Sequence, residues 1–182
     1  MTAAVCFLLG PHILTAGEPW LQPERMGTMI KLKPLLVNLV ISLGVGGLSA
    51  LLTRNSMELY GSLNQPPLSP PGWVFPVVWT ILFALMGIAA YLVWMRDSTG
   101  RNGALALYAV QLVFNFFWSL IFFNLQNYAF AFFWLAALWL LILLTTLRFF
   151  KETPAAGWLM VPYLIWVAFA GYLNAGVWLL NA

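Results

Sequence analysis

Charged residues are scarce in this chain. They make up 7% of its 182 residues, whereas soluble domains carry about 25%. Hydrophobic residues reach 63%, and the mean hydropathy is +0.89. This composition excludes a soluble globular domain and indicates an integral membrane protein.

Cysteine and histidine are almost absent, since Cys6 and His12 are the sole examples. A single cysteine excludes a disulfide within the chain and a multi-cysteine metal site. The long apolar runs also contain no Asp, Glu, His, Lys or Arg. This excludes a conventional metal site, a general acid–base pair, and a proton-coupled exchanger that uses a membrane carboxylate. We therefore expect neither a bound metal nor a required cofactor.

Charges divide the chain into uncharged runs, and a membrane-spanning helix needs about 20 residues. The longest run holds two spans, separated at residues 124–127. The expected fold is an all-α five-helix membrane bundle, with helices at about 34–53, 73–95, 104–124, 128–149 and 157–180 and a long loop at 54–72. Because the apolar runs are continuous rather than alternating, a membrane β-barrel is excluded.

Basic residues fall mostly on one side of these spans. Arg54 alone lies on the other side, against seven on the amino-terminal side: Arg25, Lys31, Lys33, Arg96, Arg101, Arg148 and Lys151. This asymmetry predicts a cytoplasmic amino terminus and an outward carboxyl terminus, and we expect a multi-pass protein of the bacterial cell membrane. There is no basic stripe interleaved with aromatic residues outside the membrane. The expected partner is therefore the lipid bilayer and not nucleic acid.

Residues 1–30 differ from the rest of the chain. Their apolar start is too short to span a membrane, is broken by Pro11, and has no basic residue before it, so it does not fit a signal peptide. We expect a disordered leader or a start assigned upstream of the true one, for which Met29 is a natural candidate.

The loop before the second helix is rich in proline, with Pro66, Pro67, Pro70 and Pro71 in one short segment. Proline cannot continue a helix, so this segment should be a stiff, extended connector at the membrane surface. It leads directly into a helix that places Trp79 well below the interface. The pattern favours a ligand site beneath this connector.

Polar and aromatic residues share one face of the third predicted helix: Gln111, Asn115, Trp118, Ser119 and Phe122. A carboxamide that faces lipid is costly, so this face should look into the bundle. The fifth helix repeats the pattern with Tyr163, Trp166, Ala170 and Asn174. Hydrogen bonding between helices and a ligand role explain the stripe about equally well.

Small residues recur at four-residue spacing in the first predicted helix: Asn38, Ser42, Gly46 and Ala50. Such spacing lets two backbones approach closely, and we favour helix packing over ligand binding for this stripe. The fourth helix is apolar on all sides. We expect it to be the most lipid-exposed of the five.

Three segments resemble the TspO/MBR family of tryptophan-rich sensory and translocator proteins: residues 73–79 (WVFPVVW), 115–118 (NFFW) and 162–170 (PYLIWVAFA), the last followed by Leu173 and Asn174. The resemblance covers about residues 31–182. It implies a five-helix bundle, a homodimer, and a pocket beneath the first long loop. It also implies binding of porphyrins such as protoporphyrin IX and haem, and of sterols in some members.

Carried over by position, the resemblance implies an aromatic pair formed by Trp79 and Trp166. The other implied pocket residues are Phe83, Asn115, Trp118, Ala170 and Asn174, with Tyr60 and Pro70 in the covering loop. If the porphyrin is degraded in light, Trp79 and Trp166 are the catalytic candidates.

Residues 173–179 lack the tyrosine and the basic residue of the sterol motif found in animal relatives. We therefore expect tetrapyrroles rather than sterols. The main hypothesis is a tetrapyrrole-binding membrane receptor or transporter, with a transport, sensing or regulatory role. The alternative is an enzyme that degrades porphyrin with light and oxygen, and a plain packing scaffold is a third possibility.

Overall fold

Residues 31–182 are described by a computed structural model, except for the side chains of residues 57–59. The predicted leader lies outside the described residues. Within the described range, five helices are long and apolar enough to cross a membrane. The predicted all-α, five-helix membrane fold is confirmed.

The helices follow one another with short connections, except for the loop at residues 63–73. α1 spans Leu32–Thr53 and continues through a 3₁₀ turn, Arg54–Ser56, into the short α2, Met57–Ser62. The remaining helices are α3 (Val74–Trp94), α4 (Arg101–Ser119) with a π-helical turn (Leu120–Asn124), α5 (Tyr128–Glu152) and α6 (Pro154–Asn181).

Three helix ends differ from the sequence prediction by three residues. α6 begins at Pro154 rather than 157, because Thr153 is extended (φ −161°) and proline suits the first position of a helix. α4 begins at Arg101 rather than 104, and α5 runs on to Glu152 rather than ending at 149. The extensions of α4 and α5 carry charged residues, namely Arg101, Lys151 and Glu152, which the hydropathy criterion excluded although the helical backbone continues through them.

α1 packs against α3 through small residues. A Cβ atom added to Gly87 would lie 3.0 Å from Leu39 Cα and 3.1 Å from Asn38 O, so the two backbones are in direct contact. On the α1 side, the Ser42 hydroxyl donates to Asn38 O at 3.1 Å. The predicted packing role of the α1 stripe therefore applies at Asn38 and Ser42.

α1, and not α5, is the least buried of the spanning helices. In its most apolar window 17% of residues are buried, against 33% in α5. The prediction for the fourth predicted helix, which is α5, was wrong because α5 lies between two neighbours. Its Trp134 indole N–H donates to Phe114 O of α4 at 2.9 Å, and its Trp139 indole N–H donates to Leu164 O of α6 at 3.2 Å.

The loop between α2 and α3 is fastened to α6. Asn64 N–H donates to Asn181 Oδ1 at 3.0 Å, and Asn181 Nδ2 donates back to Asn64 O at 2.9 Å. The Tyr172 hydroxyl donates to Pro67 O at 2.8 Å. Pro66 is buried and lies so close to Gly176 that a Cβ atom there would collide with its ring. The connector is therefore held over one end of the bundle.

The close approach at Gly87 generates a test of the α1–α3 contact. Gly87→Val should lower the free energy of unfolding by about 1–3 kcal/mol, because the new side chain would force the two backbones apart. Thermal denaturation in detergent, followed by circular dichroism, measures the change. Gly47→Val is the matched control, since nothing lies within 4 Å of its Cβ position. Equal effects of the two substitutions would contradict the assigned contact.

Candidate ligand cavity beneath the α2–α3 loop

A cavity of about 300 Å³ lies at the end of the bundle that carries the loop. Its walls come from the last turns of α1, the first turns of α3, the end of α4 with its π-helical turn, and the carboxyl-terminal half of α6. Tyr60 of α2 contributes to the side nearest the loop. The site thus lies where the proline-rich connector led us to expect it.

Eight of the nine predicted site residues line this cavity: Tyr60, Trp79, Phe83, Asn115, Trp118, Trp166, Ala170 and Asn174. Pro70 is not part of its wall. The neighbouring Pro66 is the proline that packs closely on α6. The contact that the connector makes with α6 thus lies earlier in the segment than Pro70.

Other lining residues were not predicted as site residues. α1 contributes Gly46, Ser49, Ala50, Thr53 and Arg54, and the remainder are Phe75, Pro76, Ser119, Phe122, Phe123 and Leu173. On α1 the small-residue spacing was available as a signal, but it indicates close packing as readily as a wall. Gly46 serves both purposes, because it faces the ring of Phe83 and also borders the cavity.

Aromatic rings form most of the wall. The Trp79 ring centroid lies 5.7 Å from that of Phe83, 6.3 Å from that of Trp118 and 6.1 Å from that of Tyr163. The Trp166 ring instead contacts Phe75, at 6.2 Å between centroids. The two tryptophans of the implied pair therefore line one cavity and are connected through intervening rings, namely Phe75, Tyr60, Phe122 and Trp118.

A chain of hydrogen bonds runs beneath the aromatic wall. Asn115 Nδ2 donates to the Tyr163 hydroxyl at 2.8 Å, and this hydroxyl donates to Gln111 Oε1 at 3.0 Å. All three residues are almost completely buried. The polar face of α4 thus does point inward, and it also joins α4 to α6. Hydrogen bonding between helices therefore explains this stripe, and four residues of the same face also line the cavity: Asn115, Trp118, Ser119 and Phe122.

Asn174 is likewise engaged with protein groups. Its Oδ1 accepts from the Trp118 indole N–H at 3.3 Å, and its Nδ2 donates to Tyr128 O at 2.8 Å. This carboxamide therefore fixes the orientation of the Trp118 ring and links α6 to the start of α5. Its main contribution to the cavity is to hold an indole in place.

The π-helical turn at Leu120–Asn124 shapes one side of the cavity. Such turns insert an extra residue into a helix and are frequent at functional sites. Here the adjacent residues Phe122 and Phe123 both line the cavity, with ring centroids 4.9 Å apart. Asn124 then binds the end of α1, because its Nδ2 donates to Leu52 O at 3.1 Å.

Tyr60 closes the cavity below the loop. It is 7% exposed, and its ring lies 5.7 Å from that of Phe75 and 6.0 Å from those of Phe122 and Phe123. Burial raises the pKa of the Tyr60 phenol, and a hydrogen bond with Ser69 opposes part of this shift. The phenol is therefore neutral at physiological pH and adds no charge to the site.

Few polar atoms of the wall are unpaired. Ser49 Oγ and Trp166 Nε1 are buried without a hydrogen-bond partner. Arg54 is the one charged residue of the wall, and it forms no ion pair with any residue that the structure describes. The site is thus an apolar, aromatic cavity with a neutral interior and a single cation at its edge.

Sequence comparison identifies the family. A family model described as TspO/MBR matches residues 37–179, which is most of the chain. The chain belongs to the TspO/MBR family. This membership confirms the resemblance found in the three sequence segments.

Relatives of this TspO/MBR chain come from bacteria and animals. A tryptophan-rich protein TspO of Chlorobaculum tepidum is 37% identical over 86% of this chain and 99% of its own length. A tryptophan-rich sensory protein of Cereibacter sphaeroides is 43% identical over 68% of the chain and 77% of its own length. The human translocator protein is 34% identical over 75% of the chain and 83% of its own length.

The buried hydrogen-bond chain of this TspO/MBR member yields a second test. Tyr163→Phe should lower the free energy of unfolding by about 1–3 kcal/mol, because it leaves Asn115 Nδ2 and Gln111 Oε1 buried without a partner. Tyr172→Phe removes a hydroxyl at an exposed position, where water replaces it, and should cost less. The measurement is the denaturation midpoint in detergent. A Tyr163→Phe protein as stable as the wild type would show that these buried hydrogen bonds do not stabilise the bundle.

Proposed function

We propose that this membrane protein binds tetrapyrroles such as protoporphyrin IX or haem in the cavity, in a transport, sensing or regulatory role. The observation that carries the proposal is the wall itself: Trp79, Trp118 and Trp166 surround one apolar space together with phenyl rings. Flat, largely apolar ligands with few polar groups suit such a site. The names of the relatives, which include sensory and translocator proteins, support a receptor or transport role.

The volume of the cavity suits a porphyrin macrocycle that is inserted with one edge remaining outside. Ligand pockets range from about 300 to 1,000 Å³, so this one, at about 300 Å³, is at the lower limit. A porphyrin therefore fills the space and extends to its mouth. Stacking on the indole faces supplies the attraction, and burial of the ring edge in an apolar wall adds to it.

Several parts of the proposal remain predictions. They are the homodimer, the cytoplasmic amino terminus, and location in the bacterial cell membrane. The exposed surface of α1 is compatible with a second copy or with lipid. A sterol is a weaker candidate ligand, because it has no planar π system to stack on the three indoles.

A second candidate function is light- and oxygen-dependent degradation of the porphyrin. It is favoured by the contact of Trp79 with two other oxidisable rings. The Trp79 ring centroid lies 6.3 Å from that of Trp118 and 6.1 Å from that of Tyr163. An excited porphyrin beside Trp79 could exchange an electron with the indole or pass its energy to dioxygen. Such chemistry needs no acid–base residue, which agrees with the neutral interior of the cavity.

Titration with protoporphyrin IX in the dark tests the binding site. Trp79→Ala should raise the dissociation constant about three- to tenfold, because a stacking face of the wall is lost. The change in the porphyrin absorption band measures binding. Trp94→Ala is the control, since Trp94 lies at the other end of α3, is 54% exposed and does not line the cavity. Equal affinities for wild type and Trp79→Ala would place the ligand elsewhere.

Illumination of the bound porphyrin in air separates the two functions. If the protein is an enzyme, the absorption band should decay faster than with free tryptophan in the same detergent, and Trp79→Phe and Trp166→Phe should slow the decay. If free tryptophan performs equally well, the protein only binds the porphyrin. The rate of band loss per bound porphyrin is the quantity to compare.

A further inference from the structure

Among the residues whose side chains the structure describes, Arg54 is the one charged residue in the wall of the cavity. It follows directly after α1 and is exposed, so its guanidinium group lies at the mouth and not in the interior. Within residues 31–182, the other basic side chains lie at the opposite ends of the helices: Lys31, Lys33, Arg96, Arg101, Arg148 and Lys151. In the described part of the chain, the cavity mouth therefore has one cation, far from the other basic side chains.

Arg54 is also unpaired within the described part of the chain, where it makes neither a salt bridge nor a hydrogen bond. None of the residues that line the cavity is acidic. A guanidinium group with five free donors, next to an apolar cavity, matches a planar anion that it can bind through two parallel hydrogen bonds.

From this arrangement we infer that Arg54 binds a carboxylate of the ligand and thereby selects acidic, planar ligands over neutral ones. The inference rests on the proposed function, which it makes more specific. None of the described residues that line the interior is cationic, so a carboxylate there would lose water without gaining an opposite charge. An amphipathic ligand therefore inserts its apolar edge first and leaves its acidic edge at the mouth, beside Arg54.

The α1 wall supports this orientation. Ser49 lies little more than one helical turn inward from Arg54 on the same wall, and its hydroxyl is buried without a partner. The Thr53 hydroxyl is already used, since it donates to Ser49 O at 2.9 Å. Neither hydroxyl is therefore open to a charged group of the ligand, which leaves the guanidinium group as the polar contact on this wall.

A simpler account is that Arg54 only stabilises the end of α1, where a cation interacts favourably with the helix dipole. That account predicts a change in stability but no discrimination between ligands. The two explanations therefore differ in a measurable way, provided that ligand charge is varied without changing the ring.

Protoporphyrin IX and its dimethyl ester supply this comparison, because they share the macrocycle and differ in the two carboxylates. Both are titrated in the dark, in one non-ionic detergent, into wild type, Arg54→Gln, Arg54→Lys and Arg96→Gln proteins. Arg54→Gln should weaken binding of the diacid about three- to tenfold and leave the ester unchanged. Arg54→Lys should retain part of the preference, and Arg96→Gln, at the opposite end of the bundle, should behave as wild type.

Salt provides a second readout, because an exposed ion pair is screened. Raising the ionic strength should weaken diacid binding to the wild type and have little effect on Arg54→Gln. Thermal denaturation of each variant in detergent reports whether the fold has changed.

The outcomes separate the two proposals. If Arg54→Gln binds the diacid as tightly as the wild type, the role of Arg54 is wrong while porphyrin binding stands. If Arg54→Gln weakens diacid and ester equally, Arg54 acts on the structure and the inference is again overturned. If the wild type binds neither compound, the proposed function itself fails, and the inference fails with it.

Discussion

A carboxamide that faces hydrocarbon has no water to bond, so a membrane helix that carries one must find it a protein partner. This constraint governs the orientation of α4. Gln111 and Asn115 both bond the Tyr163 hydroxyl of α6, and Asn174 of α6 accepts from Trp118 of α4. Once these bonds are made, the rotation of α4 about its axis is set relative to α6. The aromatic residues of the same faces are then directed to the space between the two helices.

The cavity follows from this arrangement together with the small residues of α1. At the end of the bundle away from the α2–α3 loop, Gly87 allows the backbones of α1 and α3 to touch. Further along α1, Gly46 and Ala50 present little side-chain volume to the space occupied by Phe83 and Trp79. The bundle is therefore tightly packed at one end and open at the other. The π-helical turn at the end of α4 directs two phenyl rings into the open end, where the ring of Tyr60 contacts both.

Much of this could be predicted from sequence, because each prediction depended on a local rule. The distribution of charges located the five spans, and the cost of a lipid-facing carboxamide placed Gln111, Asn115 and Asn174 inside. The features that were missed depend on contacts between distant residues. The bond between Asn64 and Asn181 joins positions 117 residues apart. The double role of Gly46 depends on where Phe83 lies, and a π-helical turn has no simple sequence pattern. The exposure of α1 depends on which neighbours each helix acquires, which periodicity alone does not specify.

The same hydrogen bonds that build the cavity limit how it can recognise a ligand. The amide nitrogen of Asn115 and both polar atoms of the Asn174 carboxamide each make one hydrogen bond that joins helices, so a ligand has at most the second donor or lone pair of each atom. Recognition in the interior must then come from ring stacking, which tolerates many flat apolar molecules. Discrimination then has to come from the polar groups that the helix contacts leave open, among them the guanidinium group at the mouth. A wall of this kind separates affinity from selectivity: aromatic rings inside supply the first, and a charge at the edge supplies the second.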